Sequence, residues 1–410
     1  MPERSVEFLV VGGGIAAGNC ARHLREEGAE GDILLVGREP DPPYSRPPLS
    51  KTYLRGEESR ADILFRPEEW YPEQRIDLLT RTSVTSLDVD ARVAKLSNKE
   101  EVRFDRALLA TGSNVRILRV DGGHLAGIHY LRTIGNSDAL REEASRAERI
   151  ALIGGSYIGT ELAASFTALG KRCEIVMLED VTLERMCGQE VGRFFQNALA
   201  EHGVKVHGGQ ELERFEGDER VQKVVTRSGL EIDCDFVVIG AGVTPDIMLA
   251  QRAGLETATG VVVDRYLESS APGVFAAGDI AEYDSVVHDR TLRIEHWDVA
   301  FNQGKYAALN MLGKQREYDV VPYFWSDLAD WCSMEYVGPA SDWDEVWIRG
   351  SLEEGRFTAF YVQGGRVAAA LTVGRSDDLT VASRLLKEKT DVSGMRARIE
   401  DVEADIAELG

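Results

Sequence analysis

A glycine-rich turn between a short apolar strand and a helix is the feature that most restricts the fold of this sequence. In "VEFLVVGGGIAAGNCARHLREEG", Gly12, Gly14 and Ala17 occupy the three small positions of the pattern G-x-G-x-x-G/A. The first position allows a tight turn, the second lets the backbone approach a pyrophosphate, and the third lets the helix pack closely on the strand. The helix N-terminus then presents N–H groups and a positive dipole end to phosphates. This stretch therefore predicts a dinucleotide-binding unit.

The same pattern recurs later in the chain. The stretch "RIALIGGSYIGTELAASFTALG" places Gly154, Ser156 and Gly159 in the same three positions. Ser156 departs from glycine, but its side chain is small, so we expect only a slightly more distant backbone contact. One glycine turn is weak evidence because such turns are common, whereas two of them predict two dinucleotides in one chain. Hydride exchange between the two is the obvious use.

An acidic residue is expected at the end of the second strand of each predicted unit. The stretch "DILLVGRE" ends in Glu39, and "CEIVMLED" contains Glu179 followed by Asp180. An acid in this place binds ribose hydroxyls, whereas an arginine accommodates a 2′-phosphate. The acids at the second site therefore favour NAD(H) over NADP(H).

Three further apolar strands end in glycine turns. In "FDRALLATGS" the turn is Thr111-Gly112, which lets the backbone pass near a bound cofactor. The stretch "CDFVVIGAGVTPD" repeats this pattern after the second unit, and "APGVFAAGDIAEY" ends in Gly278-Asp279. A carboxylate at such a strand end can accept hydrogen bonds from the ribityl hydroxyls of a flavin.

Length, composition and charge limit the remaining possibilities. A chain of 410 residues is too long for one core, and 43% hydrophobic with 28% charged residues is typical of a soluble globular protein. The start "MPERSVEFLVVGGG" lacks the apolar segment of a secretory signal, and no apolar run approaches the roughly 20 residues that span a bilayer. We therefore expect a cytoplasmic protein. The formal charge of −22 disfavours nucleic acid and anionic membranes as partners.

The cysteines and histidines predict neither a disulfide nor a metal site. No two of the five cysteines form a C-x-x-C pair, so buried free thiols are expected. The seven histidines are scattered and show no zinc-ligand spacing. We therefore expect no metal. The five cysteines are Cys20, Cys173, Cys187, Cys234 and Cys332.

Five segments, in this order, resemble the FAD-dependent pyridine nucleotide reductase superfamily related to glutathione reductase. They are "VVGGGIAAG", "LLATGS", "IGGSYIGTE", "VIGAGVTP" and "GVFAAGDIA". Within that superfamily, "PPYSRPPLSK" resembles the branch of ferredoxin and rubredoxin reductases and apoptosis-inducing-factor-like proteins. The resemblance covers nearly the whole chain. It implies an α/β fold with two Rossmann-like dinucleotide-binding domains and a small C-terminal α+β domain. The expected FAD domain is 1–115 with 246–320, the NAD(H) domain is 116–245, and the C-terminal domain is 321–410.

The resemblance implies non-covalent FAD and NADH as cofactors. Arg46 is expected to meet the FAD pyrophosphate as a planar cation, and Arg132 to contact the FAD phosphates or adenosine. Trp297 is expected to supply a backbone N–H at the start of a helix whose dipole stabilises the reduced flavin. The FAD-binding set is Gly12, Gly14, Ala16, Ala17, Glu39, Arg46, Pro47, Lys51, Val84, Thr111, Gly112, Arg132, Gly278, Asp279 and Trp297. The NAD(H)-binding set is Gly154, Ser156, Tyr157, Ile158, Gly159, Glu179 and Gly242.

The loop "PYSRPPLSK" differs from the redox-active segment of disulfide reductases because it contains no cysteine. Residues 21–172 hold none at all, so electrons on the flavin have no protein thiol to pass to and must leave to an external acceptor. Prolines 47 and 48 stiffen the loop. By resemblance, Lys51 lies beside flavin N5 and pairs with Glu161, which keeps the lysine charged while hydride arrives.

The C-terminal part changes pattern after about residue 320. The stretch 344–374 predicts three antiparallel strands with turns at Glu354-Gly355 and Gly364-Gly365, and "SDDLTVASRLLKEK" predicts an amphipathic helix. The last residues are either a terminal helix or a frayed tail. Trp325 occupies the place where the family has an aromatic ring beside the flavin, and it joins Lys51 and Glu161 as a candidate catalytic residue.

The resemblance favours an NADH-dependent reductase of a ferredoxin or rubredoxin that serves an oxygenase or a cytochrome P450. A stand-alone NADH oxidase or quinone reductase, and an apoptosis-inducing-factor-like redox switch, stay open as alternatives. Because ferredoxins are commonly acidic, a local basic patch is required, and Arg46, Lys305 and Arg316 are candidates for it. A monomer or a homodimer is expected.

Overall fold

The computed structural model describes residues 4–409. In chain order the strands are β1 (Arg4–Val11), β2 (Ile33–Val36), β3 (Ile76–Leu79), β4 (Val84–Asp88), β5 (Val93–Leu96), β6 (Glu101–Leu109), β7 (Ser113–Val115), β8 (Ile128–Tyr130), β9 (Arg149–Ile153), β10 (Arg172–Val176), β11 (Lys205–His207), β12 (Leu212–Glu216), β13 (Lys223–Thr226), β14 (Glu231–Asp233), β15 (Phe236–Ile239), β16 (Val243–Pro245), β17 (Val261–Val263), β18 (Val274–Ala276), β19 (Ala281–Ser285), β20 (Arg290–Leu292), β21 (Tyr323–Leu328), β22 (Cys332–Val337), β23 (Glu345–Ser351), β24 (Arg356–Gln363) and β25 (Arg366–Val373). The helices are α1 (Ile15–Glu26), α2 (Thr52–Arg55), α3 (Trp70–Glu73), α4 (Ile134–Arg146), α5 (Tyr157–Ala168), α6 (Glu184–Glu201), α7 (Met248–Arg252), α8 (Trp297–Met311), α9 (Ser376–Glu388) and α10 (Arg396–Glu400), and a 3₁₀ turn spans Pro47–Ser50.

The chain forms two compact units, each built from segments that are distant in sequence. Unit 1 consists of Met1–Ser45, Arg60–Asn114 and Val243–Pro322. Unit 2 consists of Arg46–Ser59, Val115–Gly242 and Tyr323–Gly410. The α/β class predicted from the sequence is confirmed, and the division into three domains stays a prediction. The segment Arg46–Ser59, which the sequence placed in the FAD domain, groups with unit 2.

The central sheet of unit 1 is parallel around β1. Its strands follow the order β3-β2-β1-β6, and β18 also pairs with β6 in parallel. All four residues of β2 are buried, because a parallel sheet with both faces covered requires a continuous apolar run. Helix α1 connects β1 to β2. The carboxyl ends of β1, β6 and β18 therefore lie along one edge, where the first glycine pattern begins.

Unit 2 repeats this construction and adds antiparallel sheets. Five parallel strands follow the order β11-β10-β9-β15-β8, and helix α5 connects β9 to β10. The second glycine pattern follows β9, at the carboxyl edge of this sheet. A small antiparallel sheet, β12-β13-β14, belongs to the same unit.

The C-terminal part of unit 2 is a five-stranded antiparallel sheet in the order β21-β22-β25-β24-β23, with α9 packed on β25. The three predicted strands and the helix are present as β23, β24, β25 and α9. The tail after α9 holds the short helix α10 and is fixed by the buried Arg349. The guanidinium of Arg349 donates to the carbonyls of Ile399 at 3.1 Å and Ala404 at 2.9 Å.

Residues 4–409 show neither a membrane-spanning helix nor a metal-binding group of side chains. Within this range, none of the helices combines the length and apolar character that crossing a bilayer demands. The same residues contain no grouping of three or more histidine, cysteine or acidic side chains arranged to hold a metal ion.

Candidate functional site

The first glycine pattern forms an open cradle in unit 1. Gly12 adopts a φ of +138°, and a Cβ placed there would lie 2.1 Å from the carbonyl oxygen of Ala110. Only glycine therefore allows β1 to turn this close to the end of β6. Gly14 is the N-cap of α1, and a Cβ on it would meet no atom of the described chain within 4 Å. The N-terminus of this twelve-residue helix is thus open to a phosphate.

Two further segments approach the same cradle closely. A Cβ on Gly278 would lie 3.4 Å from that of Ala16 and 3.5 Å from that of Ala300, so α1, α8 and the turn after β18 meet through small residues. Gln303 of α8 accepts the Gly278 N–H at 2.8 Å. Its buried Nε2 has no hydrogen-bond partner among the residues that the structure describes. The turn carries Asp279, as the sequence predicts.

The acid expected at the ribose lies beyond its strand rather than at the end of it. Strand β2 stops at Val36, where its pairing with β1 ends, and Glu39 lies in the following turn. The Glu39 carboxylate accepts a hydrogen bond from the Tyr44 hydroxyl at 2.5 Å.

Two other residues predicted to bind FAD also lie in unit 1. The side chain of Thr111 donates to the carbonyl of Asp246 at 2.6 Å, and Val84 begins β4 opposite Leu96.

Helix α8 begins at Trp297, and its N-cap is His296. Burial lowers the pKa of His296 to about 4, although nearby Asp279 opposes the shift. The imidazole is therefore neutral at pH 7. Sequence reasoning missed this residue, although it directly precedes the predicted Trp297.

Unit 2 contains the second cradle. A Cβ on Gly154 would lie 2.5 Å from the Gly240 carbonyl oxygen, and a Cβ on Gly159 would lie 1.9 Å from that of Gly154. Ser156 is the N-cap of α5 in an extended conformation, without a side-chain capping bond in the described structure. The first turn of α5 contains Tyr157, whose ring packs edge-on against Phe324 at 5.0 Å.

The acid of the second cradle has a partner that sequence reasoning missed. Strand β10 stops at Val176, and Glu179 lies in the turn that follows. The Nε of Arg185 lies 2.6 Å from the Glu179 carboxylate, and the arginine side chain is 81% exposed. Glu184 accepts the backbone N–H of Asp180 at 2.9 Å and so fixes this turn. The sequence alone does not indicate this contact, because the start of α6 places the Arg185 side chain against the Glu179 carboxylate.

A buried ion pair lies elsewhere in unit 2. The Lys51 ammonium donates to Oε1 of Glu161 at 2.7 Å, and the two residues are only 7% and 4% exposed. The structure thus brings together the two side chains that the resemblance pairs. Two hydroxyls complete the arrangement: Ser50 donates to Oε2 at 2.5 Å, and Ser326 donates to Oε1 at 2.6 Å.

The loop that carries Lys51 is held by two helices of the same unit. Ser137 of α4 donates to the Leu49 carbonyl at 2.8 Å, and Ser165 of α5 donates to the Ser50 carbonyl at 2.6 Å. The guanidinium of Arg46 donates to the carbonyl of Arg132. The two prolines and these hydrogen bonds make the loop stiff, and the bonds explain why it groups with unit 2.

The five cysteines are free, as predicted, and unsuited to thiol chemistry. Four of them are buried and Cys332 is half-buried. Burial raises the pKa of every one of the five thiols, to about 12 for Cys173, Cys234 and Cys332. The thiolate is the reactive form, and these pKa values leave almost none of it at pH 7.

A group of aromatic and cationic side chains extends along α1 and α8 in unit 1. Trp297 stacks on Phe301 at 4.9 Å between ring centroids, and Arg22 lies over Phe301 at 5.6 Å. Arg66 lies over Phe65 at 4.8 Å. All five side chains are half-buried. We call these five residues the α1–α8 cluster, and Lys305 follows Phe301 by one helical turn on the same face.

Two open Rossmann-type cradles and a separate antiparallel sheet define the class of reductases that bind two dinucleotides. The sequence profile of the family described as pyridine nucleotide-disulphide oxidoreductase matches residues 6–304. The profile described as reductase C-terminal matches residues 323–409, which begin at β21. The chain therefore belongs to the pyridine nucleotide-disulphide oxidoreductase family and uses FAD and NAD(P)H.

Similar proteins match along nearly the full length. The probable ferredoxin reductase CtmF of Castellaniella defragrans is 34% identical over 98% of this chain and 98% of its own. The ferredoxin reductase for the CYP199A2 system from Rhodopseudomonas palustris has a TM-score of 0.94 at 32% identity, covering 98% and 99% of the two chains. The reductase solved in a covalent putidaredoxin reductase–putidaredoxin complex has a TM-score of 0.93 at 31% identity, covering 100% and 98%.

Proposed function

We propose that this protein is a cytoplasmic reductase that takes hydride from NADH and passes electrons, through non-covalently bound FAD, to a ferredoxin-type iron–sulfur carrier. The observation that carries the proposal is the combination of two glycine cradles with five unreactive thiols, four of them buried and one half-buried. Such a chain can accept electrons from a nucleotide, but it has no thiol to deliver them to a disulfide. The names of its relatives support a ferredoxin as the acceptor, and those that name a dioxygenase system support an oxygenase as the final consumer.

The residues of unit 1 fit FAD. Gly12 and Gly14 leave room for a pyrophosphate at the N-terminus of α1, and the carboxylates of Glu39 and Asp279 can accept hydrogen bonds from hydroxyls. When bound, FAD supplies hydride acceptance and the release of electrons one at a time. The protein binds the cofactor and supplies fixed charges and dipoles, including the N-terminus of the fifteen-residue α8.

Lys51 and Glu161 would provide the charge that assists hydride arrival. Burial weakens solvent screening, so the ammonium acts strongly on any charge that develops near it. Glu161 keeps the ammonium oriented through the 2.7 Å hydrogen bond. The stiff loop holds the lysine backbone, so little reorganisation is needed during the reaction.

Nucleotide preference in this proposal depends on Glu179 and Arg185. Glu179→Gln is expected to lower kcat/KM for NADH and raise it for NADPH, because repulsion of a 2′-phosphate disappears and Arg185 loses its ionic partner. We expect the NADH:NADPH ratio of kcat/KM to fall about 100-fold. Steady-state kinetics with both nucleotides measure this ratio.

Arg185→Gln is the control for that experiment. It is expected to lower kcat/KM for NADPH while leaving the value for NADH within about twofold, since ribose hydroxyls need the acid and not the arginine. An unchanged nucleotide ratio in Glu179→Gln would show that the ribose does not bind at this turn.

The α1–α8 cluster and Lys305 are the surface that we propose for the acceptor. An acidic carrier needs a local positive surface on a chain whose net charge is −22. The cluster offers Arg22 and Arg66 beside aromatic rings. Burial is the main cause of the lowered pKa of His23, and the positive charges of Arg22 and Lys305 lower it further. Aromatic side chains and arginine are the residues most often found at the energetic centre of protein interfaces.

The first test is NADH-dependent cytochrome c reduction by the purified holoenzyme with and without an added ferredoxin. Strong stimulation by the ferredoxin is expected. Lys305→Glu is expected to raise the KM for ferredoxin about tenfold at low salt, and less at high salt, because screening removes the electrostatic steering. The rate of flavin bleaching by NADH alone is expected to stay unchanged.

Arg103→Glu provides the matched control, since it makes the same charge change at an exposed position of β6 in the same unit. It is expected to leave the KM for ferredoxin within about twofold of wild type. Rapid bleaching by NADH without stimulation by any ferredoxin would instead favour an oxidase or a redox switch. Equal effects of the two substitutions would remove the α1–α8 cluster as the docking surface.

A further inference from the structure

Ser326 is an unusual residue for its place in β21. The strand alternates in burial, and its buried face consists of Phe324, Ser326 and Leu328. The opposite face carries Trp325, the residue of this strand to which the resemblance assigns a role. A serine between two apolar residues on a buried face has to satisfy its hydroxyl within the protein. Ser326 is 2% exposed, and its hydroxyl donates to Glu161 at 2.6 Å.

Ser326 adds a third hydrogen bond to the Glu161 carboxylate, which also accepts from Ser50 and Lys51. The terminal torsion of a glutamate is broad, so a single contact does not fix the plane of the carboxylate. Here Ser50 binds Oε2 at 2.5 Å while Ser326 binds Oε1 at 2.6 Å. The hydroxyls of Ser50 and Ser326 bind different oxygens and so help to fix the plane of the carboxylate. The direction of Oε1 toward Lys51 then does not depend on the Lys51 hydrogen bond alone.

The three donors and their acceptor come from three separate parts of unit 2. Ser50 and Lys51 lie on the loop beside α2, Glu161 lies on α5, and Ser326 lies on the first strand of the C-terminal sheet. Helix α5 packs directly on β21, which brings the hydroxyl to the carboxylate. The C-terminal profile begins at β21, so Ser326 connects this sheet to the ion pair through its hydrogen bond to Glu161.

We propose that Ser326 is a positioning residue for hydride transfer, and that the C-terminal sheet acts through it on the Lys51–Glu161 pair. This inference rests on the proposed function, in which that pair assists hydride arrival. This role requires no contact between Ser326 and either cofactor. It orients the Glu161 carboxylate, and the carboxylate orients the Lys51 ammonium.

The test compares Ser326→Ala with Ser326→Thr in the holoenzyme. The first readout is acetylation of Lys51 by acetic anhydride, followed by mass spectrometry of the peptide. The buried, paired ammonium is expected to react slowly in the wild type, and about tenfold faster in Ser326→Ala, where one hydrogen bond to a charged group is lost. Ser326→Thr keeps the hydroxyl and is expected to react within about twofold of wild type.

The second readout is stopped-flow reduction of the bound flavin. Ser326→Ala is expected to slow reduction by NADH about tenfold, the factor that corresponds to one hydrogen bond to a charged group. Reduction by dithionite is expected to be unchanged, since it needs no oriented nucleotide. The KM for NADH is expected to stay within about twofold, because the nucleotide-binding turn is not altered.

Thr372→Val is the matched control. It removes a buried hydroxyl from β25 of the same sheet, one that donates to the Phe357 carbonyl at 3.0 Å and not to the ion pair. It is expected to lower stability without changing Lys51 acetylation or the NADH reduction rate. Equal changes in Thr372→Val and Ser326→Ala, or wild-type behaviour of Ser326→Ala in both readouts, would overturn the proposal.

The outcome is separable from that of the proposed function. Lys51 acetylation and flavin reduction by NADH require no ferredoxin, so both readouts remain decisive if no ferredoxin stimulates the wild type. Conversely, a wild type that ferredoxin stimulates strongly, together with a Ser326→Ala variant that reacts normally, would keep the reductase and refute the positioning role.

Discussion

Glu161→Gln is expected to lower the free energy of unfolding by about 3 kcal/mol, because it leaves the buried Lys51 ammonium without its counter-charge. Both side chains are almost fully buried and lie 2.7 Å apart, so water cannot replace the lost partner. Denaturant unfolding of the holoenzyme, followed by fluorescence, measures the difference. The surface pair Lys223–Glu231 is the control, and Glu231→Gln is expected to leave the unfolding curve nearly unchanged, because solvent screens this pair.

The double variant Lys51→Met with Glu161→Gln is expected to recover most of that stability. A neutral pair of similar volume removes the uncompensated charge, and the hydroxyls of Ser50 and Ser326 can rotate to bind the new amide. A double variant that is less stable than the sum of the two single changes would contradict the account of a coupled ion pair.

Flavin reduction is expected to follow the opposite pattern. Each single variant and the double variant should all be reduced by NADH about 100-fold more slowly than the wild type, because the oriented charge is absent in all three. Stopped-flow absorbance of the flavin measures this rate. A double variant that regains both stability and reduction rate would show that the pair serves folding alone.

The two cradles could be predicted from the sequence because their causes are local. Gly12 and Gly159 are needed where backbone atoms approach within the reach of a Cβ, and this requirement appears directly as a glycine at a fixed spacing. The strands before them are apolar runs because both faces are covered. The prediction that Glu39 and Glu179 lie at strand ends was less accurate. The pairing of β2 with β1, and of β10 with β9, stops before these acids are reached.

The contacts around Glu161 could not be predicted, because they depend on packing between distant segments. Ser326 lies 165 residues from Glu161 along the chain, and Ser50 lies 111 residues from it. The sequence did contain one signal, a serine on the buried face of β21 between Phe324 and Leu328. The resemblance assigns a role only to the neighbouring Trp325, which lies on the opposite face of the strand.

The grouping of the proline loop was unpredictable for a related reason. Chain order places residues 46–59 within the first nucleotide unit, but hydrogen bonds from Ser137 and Ser165 attach the loop to α4 and α5. Likewise, Asp180 after Glu179 indicated only that this turn is acidic. The start of α6 places Arg185 against the carboxylate of Glu179. In both cases tertiary hydrogen bonds and ion pairs decide the neighbours.

Two substitutions in the first cradle separate folding from cofactor binding, and Gly12→Ala is the more severe. A Cβ at this position would lie 2.1 Å from the Ala110 carbonyl oxygen, and the φ of +138° is unfavourable for alanine. The holoenzyme is expected to lose about 2–4 kcal/mol of stability and to purify with little FAD. Denaturant unfolding and the flavin absorbance of the purified protein measure both effects.

Gly14→Ala is expected to affect FAD without affecting the fold. Its backbone is extended at a φ of −92°, which alanine adopts easily, and its Cβ would meet no described atom within 4 Å. Stability should therefore change by less than about 1 kcal/mol. The Cβ would occupy the space through which a pyrophosphate approaches the helix N-terminus, so FAD affinity should fall at least about tenfold.

Ser156→Ala is the control for Gly14→Ala, because Ser156 holds the same N-cap position in the second cradle. It is expected to leave FAD content unchanged, since that cradle belongs to the nicotinamide nucleotide in our assignment. Fluorescence titration of FAD into the flavin-depleted variants gives the dissociation constants. If Gly14→Ala binds FAD as tightly as the wild type does, the pyrophosphate does not approach this turn, and the assignment of the first cradle to FAD is wrong.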